Sequence, residues 1–205
     1  MIFYESLQPD AYNKLQARNL ARQIEFIKDA TLLSNTYLPG ERLTGNFIRQ
    51  VHAITMAGLM ENPGQYRDDA CYIEGSNHVP PSPAEISNLV GDLCVDVNEF
   101  WDDADPFDLS AYVLWRLTWI HPFANGNGRI ADAIAYFVLC RKHETWFSGA
   151  QIIPTYWRDN KDRRYYEALQ AADNFGADNF RAVKDLSDLI QAALFNQLDK
   201  FYRSK

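Results

Sequence analysis

The stretch Trp119-Ile120-His121-Pro122-Phe123-Ala124-Asn125-Gly126-Asn127-Gly128-Arg129-Ile130-Ala131-Asp132 constrains this chain more than any other. Upstream, LSAYVLWRLTWI from Leu109 to Ile120 is apolar enough for a buried helix, and downstream IADAIAYFVLC from Ile130 to Cys140 reads as a second. Gly126 and Gly128 let the backbone between them turn sharply. A loop that runs into a helix start aims free N–H groups and the positive dipole end at one point, which is an anion site suited to phosphate. Arg129 adds a forked cation. His121, at the end of the first helix, is the residue here able to take a proton from a hydroxyl near neutral pH. A Gly-rich turn alone often marks only a chain reversal beside a solvated arginine. A base, a glycine pair and an arginine clustered between two buried helices are hard to explain as punctuation.

The stretch resembles the signature of the Fic domain family, H-P-F-x-[D/E]-G-N-G-R-x-x-R, in register at His121, Pro122, Phe123, Gly126, Asn127, Gly128 and Arg129. It departs at Asn125, where the family has an acid, and at Asp132, where it has a second arginine. The likeness extends from about Leu43 to the last helix and includes Tyr165-Tyr166-Glu167-Ala168-Leu169-Gln170.

A chain of 205 residues suffices for one domain. Its net charge of −7, with no long run of one sign, argues against non-specific nucleic-acid binding and against an anionic membrane as partner. Cys71, Cys94 and Cys140 lack paired-ligand spacing, so neither a zinc site nor a disulfide framework is expected. The opening residues lack the pattern of a secretory signal, and no apolar run approaches a membrane span. A soluble, cytoplasmic protein is the expectation.

Helical periodicity predicts a helix from Pro9, a second from about Thr44, a third opened by the capping box Ser82-Pro83-Ala84-Glu85, and two after Arg158. His52 lies beside the apolar face of the second helix and is given no role. Asp102, Asp103 and Asp105 read as a solvated linker. Cys71 to Pro81 holds the credible strand pair of the chain, turning at Gly75-Ser76-Asn77. By pattern it is either a surface loop or an exposed edge that receives an extended segment. The resulting expectation is an all-α, single compact Fic-type domain with one short β-hairpin flap. Residues 1–42 form a helical lead-in and residues 43–203 the Fic-like part, as one structural unit.

The resemblance implies transfer of AMP from ATP to a Ser, Thr or Tyr hydroxyl of a target protein, with Mg²⁺ on the phosphates. It assigns His121 as general base and Phe123, Asn125, Gly126, Asn127, Gly128 and Arg129 to the nucleotide phosphates. Within that set Phe123 points into the core, Asn127 adds a side-chain donor and Arg129 neutralises charge. Tyr72, Ile73, Glu74, Gly75 and Ser76 correspond to the flap that docks the target, and Asn160 is a candidate base contact that could equally cap a helix. Asn125 is a neutral, weak ligand for Mg²⁺, and Asp132 sets a negative charge where a triphosphate would approach. The family's inhibitory motif, [S/T]-x-x-x-E-[G/N], has no convincing copy, since Glu74-Gly75 follows Ala70 rather than Ser or Thr. The chain is therefore inhibited by a separate partner in a toxin–antitoxin-like arrangement, intrinsically weak, or adapted to another donor. The competing readings are a phosphotransferase, a transferase of another nucleotide or of phosphocholine, and a nucleotide-binding module without efficient catalysis.

Overall fold

The computed structural model describes residues 8–38, 40–73, 75–149, 152–154, 162–175 and 180–203. Among these the chain is all-α, as the periodicities predict. Its elements are α1 (Pro9–Leu32), α2 (Ser34–Tyr37), α3 (Gly45–Met56), α4 (Ile86–Glu99), α5 (Pro106–Ile120), α6 (Asn127–Lys142), α7 (Arg163–Phe175) and α8 (Lys184–Arg203).

Helices α5 and α6 pack against each other at the centre, and their sequences show why. Nearly every residue from Leu109 to Leu117 and from Ile130 to Arg141 is buried, so each needs neighbours on all sides. Those neighbours are α1 and α3 against α6, and α4, α7 and α8 against α5. Ile27 and Ala30 of α1 belong to the same core as Phe47, Phe137 and Leu186.

Local chemistry sets the helix starts. Thr44 caps α3 by accepting from Phe47 N–H at 3.0 Å, and the Ser82–Glu85 capping box opens the turn that leads into α4. Asp105, read from sequence as linker, is the N-cap of α5: its carboxylate accepts from the N–H groups of Phe107 and Asp108, with Pro106 in the first turn. The α5 helix therefore begins three residues before its apolar run.

The expected hairpin takes a different form. Among the described residues no strand ladder forms between Cys71 and Pro81; the segment is an irregular reversal closed by Ser76 N–H donating to the Ile73 carbonyl at 3.1 Å. A two-stranded ribbon with no third strand has little to stabilise it, and side chains hold this one instead.

Candidate active site

His121 ends α5 with φ 49° and ψ 58°, the left-handed conformation that non-glycine residues seldom adopt. Arg67 holds it there. This arginine, only 5% exposed, donates through Nε to the His121 carbonyl at 2.8 Å and through Nη2 to the Pro81 carbonyl at 2.6 Å. Its Nη1 donates to the Asp69 carbonyl at 2.9 Å, and its backbone N–H to the Pro122 carbonyl at 2.9 Å. One guanidinium thus serves the orphan carbonyls and negative dipole end of α5 while tying both ends of the flap to it. His78 adds a second staple from the flap, its Nε2–H donating to the Trp119 carbonyl at 2.8 Å.

The His121 ring lies with Nδ1 3.4 Å from the Thr118 carbonyl. A carbonyl only accepts, so the proton resides on Nδ1 and Nε2 keeps its lone pair. Burial pushes the imidazole below its ordinary pKa, and the nearby charge of Arg67 and the His78 ring push the same way; the Thr118 carbonyl opposes them. These shifts favour the neutral imidazole, the form a general base requires.

The loop after it is braced from three sides. Phe123 is 0% exposed and stacks on the His52 ring at 3.7 Å with a 5° interplanar angle; its burial stabilises by about 1.5–3 kcal/mol. His52 accepts from Gly64 N–H at Nδ1 (2.7 Å), which leaves Nε2–H to donate to the Asn125 carbonyl at 3.0 Å. Burial lowers the His52 pKa to about 4, against the Asn125 carbonyl, which raises it. Asn127, the first residue of α6, turns its amide back on Phe123, accepting from the N–H at 2.9 Å and donating to the carbonyl at 2.7 Å. Asn127 thus clamps the loop with its Oδ1 and one amide N–H, and its second N–H is left over. Gly126 has φ +84°, and a Cβ there would meet Met56 Sδ at 2.9 Å, so glycine is required on both counts.

The loop still presents an anion site. The N–H groups of Asn127, Gly128 and Arg129 lie in the first turn of α6, where a helix has no carbonyl of its own to offer them. Arg129 reaches the Asn125 Oδ1 with Nη2 at 3.4 Å, and its Nη1 is a buried donor with no acceptor among the described residues. Asn125 does not fit a metal: its Oδ1 already accepts from Gly126 N–H at 2.6 Å and lies beside the Arg129 cation. Among the described residues no group of His, Cys, Asp or Glu is arranged to hold a metal ion. Asp132 is 3% exposed, engaged by its surroundings, and absent from the cavity wall. Its charge is thus withdrawn from the surface a phosphate would meet.

That wall encloses about 490 Å³. The cavity is lined by His121 and Gly128, by Ile73, Gly75, Ser76 and His78 of the flap, and by Trp115, Tyr165, Tyr166 and Asp173. Tyr72 is 87% exposed on the outer side of the flap. Glu74 and Asn160 lie outside the described residues. Sequence reasoning missed Arg67, His52, His78 and Asp173. His52 stood out only as a histidine beside an apolar face, and Arg67 closes a Pro-Gly break with no periodicity to mark it.

The Fic/DOC family model matches residues 42–139, which span the α3 start, flap, α5, loop and most of α6. This chain carries a Fic domain. It is 29% identical over 114 residues to the protein adenylyltransferase Fic of Nematostella vectensis, covering 54% of this chain and 24% of the relative. The chain therefore spans about a quarter of that relative's length. Its fold is shared with a Fic domain-containing signalling protein from Bacteroides thetaiotaomicron, with a TM-score of 0.73 at 20% identity over 95% of this chain and 73% of that one. It is also similar to IbpAFic2, solved covalently tethered to Cdc42, with a TM-score of 0.53 at 20% identity over 86% and 60% of the two chains. No helix among the described residues is long and apolar enough to cross a membrane.

Proposed function

We propose that this Fic domain transfers a nucleoside monophosphate, AMP in the relatives named adenylyltransferases, from its triphosphate to a Ser, Thr or Tyr hydroxyl of a protein target. The observation that carries this reading is one cavity lined both by His121, whose Nε2 keeps its lone pair, and by Gly128 in the first turn of α6.

The target hydroxyl oxygen attacks the α-phosphorus while His121 Nε2 takes its proton. The bond from the α-phosphorus to the bridging oxygen breaks, and pyrophosphate leaves with that electron pair. The first-turn amides of α6 and the Arg129 guanidinium stabilise the negative charge that shifts along the phosphates. The His52–Phe123–Asn127 brace holds these donors in place before substrate arrives, and the Arg67 staple does the same for the base. The flap, fastened by Arg67 and His78, offers its edge near Ile73 to an extended target segment. Asn125 takes no part in a metal step; its role is to hold Gly126 and Arg129. The likeness to a Fic domain tethered to Cdc42 supports a protein as the acceptor.

Intact mass spectrometry of the chain with ATP and Mg²⁺, in a bacterial lysate that supplies targets, tests the reading. The expected result is a gain of AMP mass on the chain or a target that His121→Ala abolishes. A phosphate-sized gain would replace it with phosphotransfer. Nucleotide binding without covalent gain would replace it with a binding module.

A further inference from the structure

The cavity that begins at His121 has a second end, and one polar contact defines it. Trp115 lies six residues before His121 on α5, which places it roughly 9 Å along the helix. That spacing is on the scale separating the phosphate of a nucleotide from its base. There the Trp115 indole N–H donates to Asp173 Oδ1 at 2.7 Å, across from α5 to α7. Asp173 supplies the one carboxylate among the cavity-lining residues described, and the same lining includes the aromatic side chains Trp115, Trp119, Tyr165 and Tyr166. Gln170 lines the same cavity one turn earlier on α7, at the i, i+3 spacing that puts the two side chains on one helix face.

A carboxylate accepts hydrogen bonds and donates none. An occupant of this end must therefore present N–H or O–H groups to Asp173. Beside it, the Gln170 amide can donate to a carbonyl or a ring nitrogen. The aromatic walls suit the plane of a base. The Watson–Crick edge of guanine carries two adjacent N–H donors, from N1 and the 2-amino group, next to the O6 acceptor. That edge matches a carboxylate that accepts both donors with a neighbouring amide that serves the oxygen. Adenine offers a single amino group flanked by a bare ring nitrogen, whose lone pair opposes the carboxylate. The N3–H of uracil is flanked by two carbonyls, which oppose it still more.

We infer that Asp173 makes the base end of this cavity select guanine over adenine, so that the donor this chain prefers is a guanosine nucleotide. The inference rests on the nucleotidyl-transfer reading and alters one part of it, the base. The competing account is that Asp173 only ties α7 to α5 through Trp115. Asp173→Asn separates the two, because it keeps an oxygen for the indole N–H and replaces the other with a donor.

The test is calorimetric titration of the full chain, carrying His121→Ala to stop turnover, with GTP, ITP, ATP and UTP. GTP is expected to bind about tenfold more tightly than ATP, the worth of one additional hydrogen bond to a charged acceptor. ITP, which lacks the 2-amino group, is expected to fall between them and UTP below. Asp173→Asn is expected to bring GTP and ATP within about threefold of each other, as a relay of one fewer charged hydrogen bond requires. ATP binding as tightly as GTP, or a preference for GTP that survives Asp173→Asn, overturns the inference while leaving nucleotidyl transfer intact. Failure to bind any of the four nucleotides overturns the transfer reading, and the inference with it.

Discussion

Replacing Arg67 with methionine keeps a long, buried apolar stem and removes the guanidinium, so it isolates what that group does for the end of α5. Three carbonyls, those of His121, Pro81 and Asp69, lose donors at 2.6–2.9 Å. A hydrogen bond from a charged donor is worth about 1.5–3 kcal/mol. The Asp69 carbonyl lies on an exposed residue and Pro81 is half-buried, so water recovers part of both; the half-buried His121 carbonyl at the helix end recovers less. Loss of a cation at a helix C-terminus adds about 0.3–1 kcal/mol. The total expected is about 3–5 kcal/mol, a large share of the roughly 5–15 kcal/mol that holds a domain folded. Urea unfolding followed by far-UV circular dichroism measures it. In protein that remains folded, kcat for transfer is expected to fall about tenfold or more with little change in KM for the donor nucleotide, because the base is misaligned while the α6 amides are untouched. Arg67→Lys restores the charge but not the fork, and is expected to recover roughly half of the lost stability. A loss below about 1 kcal/mol for the methionine variant, with transfer unchanged, would refute the account of Arg67 as the staple of His121.

Three further outcomes follow from the same geometry. His52 has a folded pKa of about 4 against an ordinary 6.5, so between those values the unfolded chain binds the extra proton. Stability is therefore full above pH 6.5 and declines as pH falls toward 4, by about 3 kcal/mol in all; His52→Gln is expected to flatten that slope in unfolding measured at several pH values. Because burial, Arg67 and His78 depress the His121 pKa, the acid limb of kcat/KM for transfer is expected below pH 6.5, and a limb at or above pH 7 would contradict the assignment of a neutral base. Gly126→Ala must accept φ +84° and move Met56 Sδ, 2.9 Å from the new carbon; a cost of about 1–3 kcal/mol is expected in denaturant unfolding, with weaker nucleotide binding from the displaced loop.

Much of this molecule was legible in one dimension. The apolar runs on either side of the signature could only be buried helices, because a helix apolar on every face has nowhere else to go. The capping box at Ser82 and the glycine at position 126 are local requirements of backbone geometry, and both were met where the residues stood. His121 and Arg129 stood out as candidates because a base, a glycine pair and a cation are clustered between two buried helices.

What tertiary structure decided were the jobs that depend on who arrives from elsewhere in the chain. Nothing near Arg67 in sequence announces that its guanidinium will meet the end of α5 more than fifty residues on, and nothing near His52 announces Asn125. Asn127 has the same side chain wherever it stands, and only the nearness of the Phe123 backbone made it a clamp on the loop. The strand-like run before the prolines had residues suited to a ribbon but no third strand to pair with, so side chains fastened it to α5 instead. Asp173 met the Trp115 indole only once α7 had packed against α5. Backbone preference and burial act within a few residues and are written locally. Hydrogen-bond partners are fixed by the packing of whole helices, and those only the folded chain reveals.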